Sequence, residues 1–268
     1  MVNRIFDGKG LADQKEIELK RKVKVLEEKG VVPTLTSILV GSDMASNKYL
    51  GLKKSAAERI GCQLDIVSFP DSSTTIPEIT EKINELNLNS KIHGVMLQLP
   101  LPARFSEEDR DNLVKVIDPT KDVDGMRSDS FYTAPVVKAV MDAMNEVNGN
   151  GKLRNIVVVG ANGFTGRKIM SKLSVDGYSV EGVDIDTQNM AEMLSKADVV
   201  ISATGQAGLV KVDMVKDGVV FIDVGAPEGD IEKAAHAKAS FVSPVPGGVG
   251  PLTVYYLIDN LVESVAGL

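Results

Sequence analysis

The stretch Asn155-Ile156-Val157-Val158-Val159-Gly160-Ala161-Asn162-Gly163-Phe164-Thr165-Gly166 decides the fold. It opens on an apolar, β-branched run, the composition of a buried strand. Three glycines follow at GxxGxxG spacing, and a helical pattern then runs to about residue 173. Strand, glycine turn and helix form the first part of a dinucleotide site. Glycine lets the backbone approach a pyrophosphate, and the helix start offers free N–H groups and a partial positive charge. Gly160, Ala161, Asn162, Gly163 and Gly166 are the candidate phosphate contacts. The spacing departs from GxGxxG, and a tight turn alone can produce it. The order strand–turn–helix–strand favours the ligand.

The next strand, over 178–183, ends at Asp184-Ile185-Asp186. An acidic side chain at this point takes the adenosine ribose hydroxyls and repels a 2′-phosphate, which favours NAD over NADP. Either aspartate is equally placed to start the turn before Thr187, so both readings of Asp184 stand.

Working outward, Thr187 is expected to cap a helix carrying Met190, Met193 and Leu194. Strands follow over 197–202, 219–224 and 241–243, and a final helix over 250–265. Upstream, a helix is expected over 8–30, with Leu19, Val23 and Leu26 on one face. Strands over 34–40, 64–69 and 93–99 alternate with helices over 45–60 and 76–88. A short helix over 106–116, a loop around 118–125 and a helix opened by Pro135 complete this half. Asn148-Gly149-Asn150-Gly151 is the clearest break, after which the strands of a second unit begin. The alternation predicts an α/β protein with parallel sheets, the second a Rossmann-type doubly wound sheet. Domains are expected at 1–135, completed by the C-terminal helix 250–268, and at 136–249.

The chain has 268 residues and a net charge of −7 with no long basic run, which argues against nucleic acid or an anionic membrane as partner. No 18-residue apolar stretch and no signal-type h-region occur, so a cytoplasmic protein is expected. The single cysteine, Cys62, excludes an internal disulfide and reads as a buried structural thiol. Two histidines far apart, with no HExxH or CxxC, argue against a transition-metal site.

Tyr49 and Lys53 lie four apart on an expected helix and share a face. Burial lowers a lysine pKa and lets the amine move protons, while a tyrosine stacks on flat ligands. On spacing alone the pair also reads as a surface lysine beside a half-buried tyrosine. Gln98 closes a parallel strand, where sites form, although taken individually both Gln98 and Asp122 read as structural residues. Asp122-Val123-Asp124-Gly125 puts carboxylates on a loop. Pro246-Gly247-Gly248-Val249-Gly250-Pro251 is too rigid and glycine-rich for ordinary packing and suits a flat ligand pressed on backbone.

Together these segments resemble one family, the bifunctional methylenetetrahydrofolate dehydrogenase/cyclohydrolases. The matching pieces are Ser46-Asn47-Lys48-Tyr49 with Lys53, then Leu97-Gln98-Leu99-Pro100-Leu101-Pro102, then Lys121-Asp122-Val123-Asp124-Gly125. Phe221-Ile222-Asp223-Val224-Gly225 and the run from Pro244 to Thr253 complete them, in family order over nearly the whole chain. The resemblance implies two α/β domains around a cleft, a cytoplasmic homodimer, tetrahydrofolate one-carbon derivatives as substrates, and NADP as the default cofactor. It implies that Lys53 is the proton-transfer residue, that Tyr49 stacks on the folate, that Gln98 contacts the lysine, and that Asp124 binds the pterin. Leu97, Leu99, Pro246, Gly247, Gly248, Val249 and Gly250 line the folate pocket on this reading, and Ile185 and Ala226 join the cofactor contacts.

Three departures bear on the cofactor. Ala161-Asn162 replaces the family's Arg-Ser, whose arginine helps hold a 2′-phosphate, and Asp184-Ile185-Asp186 replaces a small polar segment. Both favour NAD, with Arg167 and Lys168 as compensating cations for NADP. Tyr132-Thr133-Ala134-Pro135 replaces Pro-Cys-Thr-Pro, which suggests a more open cofactor cleft. The competing readings are a shikimate-type dehydrogenase on the same plan and a non-catalytic nucleotide sensor.

Overall fold

The computed structural model describes residues 4–41, 44–148 and 155–266. The expected break at Gly149-Asn150-Gly151 lies outside them. In chain order the elements are β1 (Arg4–Ile5), α1 (Gly8–Glu28), β2 (Thr34–Val40), α2 (Met44–Ile60), β3 (Gln63–Phe69), α3 (Ile76–Leu88) and β4 (Gly94–Leu97). Next come α4 (Glu107–Val116), α5 (Pro135–Asn148), β5 (Ile156–Val159), α6 (Phe164–Val175), β6 (Val180–Val183) and α7 (Met190–Lys196). The last are β7 (Val199–Ser202), β8 (Val220–Asp223), β9 (Phe241–Ser243) and α8 (Val249–Ala266). Two 3₁₀ turns, Val212–Met214 and Lys233–Lys238, have no counterpart in the sequence reading.

The chain divides into two compact units. One comprises residues 14–135 and 254–268 and holds a three-stranded parallel sheet in the order β3-β2-β4. The central strand, β2, is buried along its whole length, as expected for a parallel strand covered on both faces. Ile79, Ile83 and Leu86 of α3 are buried, as are Leu19, Val23 and Leu26 of α1, so both apolar stripes face the core. Ser106 caps α4: its hydroxyl accepts from Asp109 N, and Asp109 answers on Ser106 N. In α8, Asn260 is fully buried and donates to Val123 O (2.7 Å) and Thr133 O (3.0 Å). One amide thereby ties the two ends of the 123–133 loop.

The other unit comprises residues 1–13 and 136–253. Its six-stranded sheet, order β1-β9-β8-β7-β5-β6, is parallel throughout. The order reverses at β5, which has β6 on one side and β7 on the other. That is the switch point of a doubly wound sheet. A core of Val157, Val159, Val200, Phe221 and Val242 with Leu194 of α7 packs one face.

Two expectations are corrected. Residues 1–13 do not belong with the first half of the chain. Arg4 and Ile5 pair with Phe241 and Val242, which makes β1 the edge of the six-stranded sheet. Residues 250–253 of α8 also group with this unit. Two residues carry no periodicity, so the sequence alone gave no sign of β1. Thr187 does not cap α7. Asn189 holds the N-cap position, and Thr187 Oγ1 instead accepts from Asp184 N (2.9 Å).

Candidate active site

In the three-stranded unit, α2 places Tyr49 one turn before Lys53, and β4 runs out at Leu97 so that Gln98 stands at the strand's C-terminal end. Gln98 N still donates to Ile38 O of β2 (2.8 Å), which fixes the residue in the sheet register. Its side-chain Nε2 donates to Leu99 O (2.7 Å). That bond uses the amide's donor end and turns Oε1 toward the lysine. Lys53 Nζ donates to Gln98 Oε1 at 3.1 Å and to Met96 Sδ at 3.4 Å. Burial drives the amine well below the usual lysine range, and the Asp124 carboxylate pulls it partly back up. Burial also pushes up the Tyr49 phenol.

Lys53, Gln98 and Asp124 are therefore brought together electrostatically, with Tyr49 on the same helix. The surface-lysine reading of Lys53 gives way to its contacts: the residue is half-buried and its amine is bonded to Gln98 Oε1 and Met96 Sδ. Leu97 is buried and Leu99 half-buried beside them. Met96, missed in the sequence, belongs to the same cluster. As one apolar residue in an apolar strand, it gave no signal of its own.

Asp124 sits half-buried on a loop held from beneath by Asp122. Asp122 is fully buried and accepts from Met126 N (3.0 Å) and Arg127 N (2.8 Å). Burial pushes its carboxyl up to about 6, against those backbone donors and with the help of Asp124. Cys62 is buried, and burial pushes its thiol up to about 12. Such a thiol is inert at neutral pH.

In the six-stranded unit, the turn after β5 has the geometry of a phosphate cradle. Gly160 has φ +83°, a conformation that favours glycine. A Cβ on Gly166 would lie 2.0 Å from Gly160 O, so α6 packs directly on the turn. The Asp184 carboxylate accepts from Asn162 N (3.1 Å), and the Arg167 guanidinium donates to Asn162 O (2.7 Å). Gly160, Ala161, Asn162, Gly163, Gly166 and Asp184 thus form one cluster at the switch point. The 12-residue helix α6 directs its N-terminus there. These residues fit a dinucleotide. Ile185 is exposed next to Asp184, and Ala226 is exposed after the end of β8. Pro246, Gly247 and Gly248 form the turn into α8, and Val249 and Gly250 are its first residues. Lys9 N donates to Gly247 O (3.1 Å) and Gly248 N to Pro244 O (2.8 Å).

Among the described residues no group of His, Cys, Asp and Glu is arranged to hold a metal ion, and no helix is long and apolar enough to cross a membrane.

A doubly wound parallel sheet with a glycine turn at its switch point, in one chain with a lysine amine buried against an amide oxygen, defines a two-unit nucleotide-dependent α/β enzyme. The family model "Tetrahydrofolate dehydrogenase/cyclohydrolase, catalytic domain" matches residues 6–124, and "Tetrahydrofolate dehydrogenase/cyclohydrolase, NAD(P)-binding domain" matches residues 134–267. The bifunctional protein FolD of Lactobacillus acidophilus is 37% identical over 278 residues, covering 98% of this chain and 97% of its own. The FolD crystal structure from Campylobacter jejuni superposes with a TM-score of 0.90 at 31% identity, covering 99% of each chain. The Trypanosoma brucei dehydrogenase-cyclohydrolase, complexed with NADP and an inhibitor, gives 0.89 at 28% identity, covering 99% of this chain and 98% of its own.

The chain belongs to the tetrahydrofolate dehydrogenase/cyclohydrolase family. It is a bifunctional methylenetetrahydrofolate dehydrogenase and methenyltetrahydrofolate cyclohydrolase of one-carbon metabolism. The shikimate-type and sensor readings give way to this one.

Proposed function

We propose that Lys53 carries the proton of the cyclohydrolase step, that Gln98 and Asp124 set its protonation, and that Asp184 selects NAD. The observation that carries the proposal is the Lys53 amine, buried and bonded to Gln98 Oε1 at 3.1 Å. A desolvated amine is neutral in a larger fraction of molecules near pH 7 and accepts a proton readily.

The substrate carbon lies between two folate nitrogens whose lone pairs stabilise a cation. A bound nicotinamide dinucleotide supplies hydride acceptance, which converts the methylene to the methenyl compound. Water then adds to the methenyl carbon. Lys53 takes a proton from that water and returns it to the nitrogen that leaves as the C–N bond breaks, and the remaining hydroxyl proton of the adduct is released as the formyl C=O forms, giving 10-formyltetrahydrofolate and one proton. Gln98 Oε1 holds the amine in place through both transfers. Asp124 binds the pterin and supplies the negative charge that keeps the lysinium accessible. Tyr49 stacks on the folate, with Leu97 and Leu99 as further contacts; for the segment 246–250 the support is the family resemblance alone. In the other unit, Gly160, Ala161, Asn162, Gly163 and Gly166 would hold the pyrophosphate of a bound dinucleotide, with Ile185 and Ala226 as further contacts. The family resemblance also supports a cytoplasmic homodimer.

The test is direct. Purified protein is mixed with 5,10-methylenetetrahydrofolate and either NAD or NADP, and reduced dinucleotide and methenyl absorbance are followed. Turnover with at least one dinucleotide is expected, followed by decay of the methenyl signal. No turnover with either sinks the proposal.

The NAD preference rests on a carboxylate that accepts from a backbone N–H of the phosphate turn, where a 2′-phosphate would meet like charge. Asp184→Ser removes that charge. The ratio of kcat/KM for NADP over NAD is expected to rise by about tenfold or more, the scale of one lost charge repulsion of ~1.4 kcal/mol. An unchanged ratio takes Asp184 out of the cofactor site.

A further inference from the structure

Asp230 does not appear among the residues that the sequence marks for the cofactor, yet it lies at the centre of a buried network under the glycine turn. It is fully buried, and its Oδ2 accepts from Ser202 Oγ (2.9 Å) and Thr204 N (2.6 Å). Ser202 ends β7, and Thr204 lies in the loop that leaves it. That loop touches the turn from below: a Cβ on Gly160 would lie 2.8 Å from Ala203 O and 3.0 Å from Thr204 Cγ2. Asp230 is held in its turn. The Asp223 carboxylate, at the end of β8, accepts from Asp230 N (3.0 Å), Ile231 N (3.0 Å) and Gly225 N (2.9 Å). The contacts therefore run from β8 through Asp230 to the β7 exit loop and on to Gly160.

The second carboxylate oxygen, Asp230 Oδ1, is buried and has no hydrogen-bond partner among the described residues. Leaving a buried carboxylate oxygen unpaired is costly. Burial pushes the neighbouring Asp223 carboxyl up, and the Asp230 carboxylate beside it pushes in the same direction.

We propose that Asp230 is a positioning residue for the dinucleotide: by accepting from Thr204 N and Ser202 Oγ it fixes the β7 exit loop against Gly160 and so sets the shape of the phosphate turn. The proposal rests on the NAD(P)-binding role of this unit, and wild-type dehydrogenase turnover establishes that role before any variant is read.

The experiment compares Asp230→Ala, Asp230→Asn and Ser202→Ala by steady-state kinetics. Dinucleotide is varied in the dehydrogenase assay, and the cyclohydrolase rate is measured without dinucleotide. Asp230→Ala is expected to raise the dinucleotide KM about tenfold with the cyclohydrolase rate retained, because two acceptor contacts are lost. Asp230→Asn keeps an acceptor oxygen and is expected to restore KM to within about threefold of wild type. Should Asp230→Ala not fold, Ser202→Ala decides, with an expected rise of about threefold from one lost hydrogen bond. An unchanged dinucleotide KM in Asp230→Ala overturns the proposal, as does an unchanged KM in Ser202→Ala where that variant must decide. So does a parallel fall of both activities, or an Asn variant as impaired as Ala.

Discussion

Lys53→Met is expected to lower the cyclohydrolase rate by about 10²- to 10⁴-fold, the usual contribution of a positioned proton-transfer group, while part of the dehydrogenase rate survives. Hydride transfer moves no proton at the reacting carbon, so the oxidative half needs the amine only for positioning. Methionine is a suitable replacement. It matches the length of the lysine stem and is at home beside Met96 and the apolar floor of β4. The two rates are separable in one preparation, as reduced dinucleotide formed and as methenyl absorbance lost. Equal retention of both activities would show that another group moves the proton.

The same variant carries a second signature, in the pH dependence of stability. Burial puts the folded-state pKa of Lys53 below its ordinary value of 10.5. Between the two values the unfolded chain binds the additional proton, so native stability falls as pH is lowered through that window. Lys53→Met lacks the titrating group. Its denaturation midpoint is expected to depend less on pH across the alkaline range.

Gly166→Ala is expected to weaken dinucleotide binding by about 100-fold, the cost of an ångström-scale misplacement in a built site, with cyclohydrolase turnover preserved. The added methyl would sit 2.0 Å from Gly160 O, 2.8 Å from Gly160 C and 3.0 Å from Ala161 Cα. All three are backbone atoms, so no side chain can swing aside. Either α6 retreats from the turn or the turn opens, and both spoil the cradle. Overpacking of this kind also costs about 1–3 kcal/mol of stability, small enough for the chain to remain folded. Titration with reduced dinucleotide, followed by its fluorescence, reads the loss directly. Wild-type affinity in this variant would mean that the phosphates bind elsewhere.

Much of this was legible in the chain because the physics is local. The runs around Ile156 and Thr34 are apolar over lengths that suit strands, and glycines or prolines stop them. Ser106, Pro135 and the stripes of α1 and α3 announced their helices through caps and spacing. Lys53 and Tyr49 share a face by arithmetic alone, but the importance of Lys53 came from motif resemblance, since a four-residue spacing is common. What stayed hidden depends on distant partners. β1 exists only because β9 offers an unpaired edge. Asn260, Asp230 and Met96 matter through residues 26 to 137 positions away, and no window on the sequence joins them. Thr187 misled because threonine serves equally well in a turn and at a cap.

The division of the backbone has a practical outcome for anyone cutting it. Each unit is built from two separate pieces of chain. A fragment ending at residue 135 would lack Asn260 and with it both tethers on Val123 and Thr133, whereas one starting at residue 136 would lose β1 and bare the flank of β9. An unpaired border of that kind invites strand addition between molecules. Truncation at the apparent midpoint should therefore yield two sticky remnants rather than two working halves, and a dissected version of this enzyme will need rejoined termini to stay in solution.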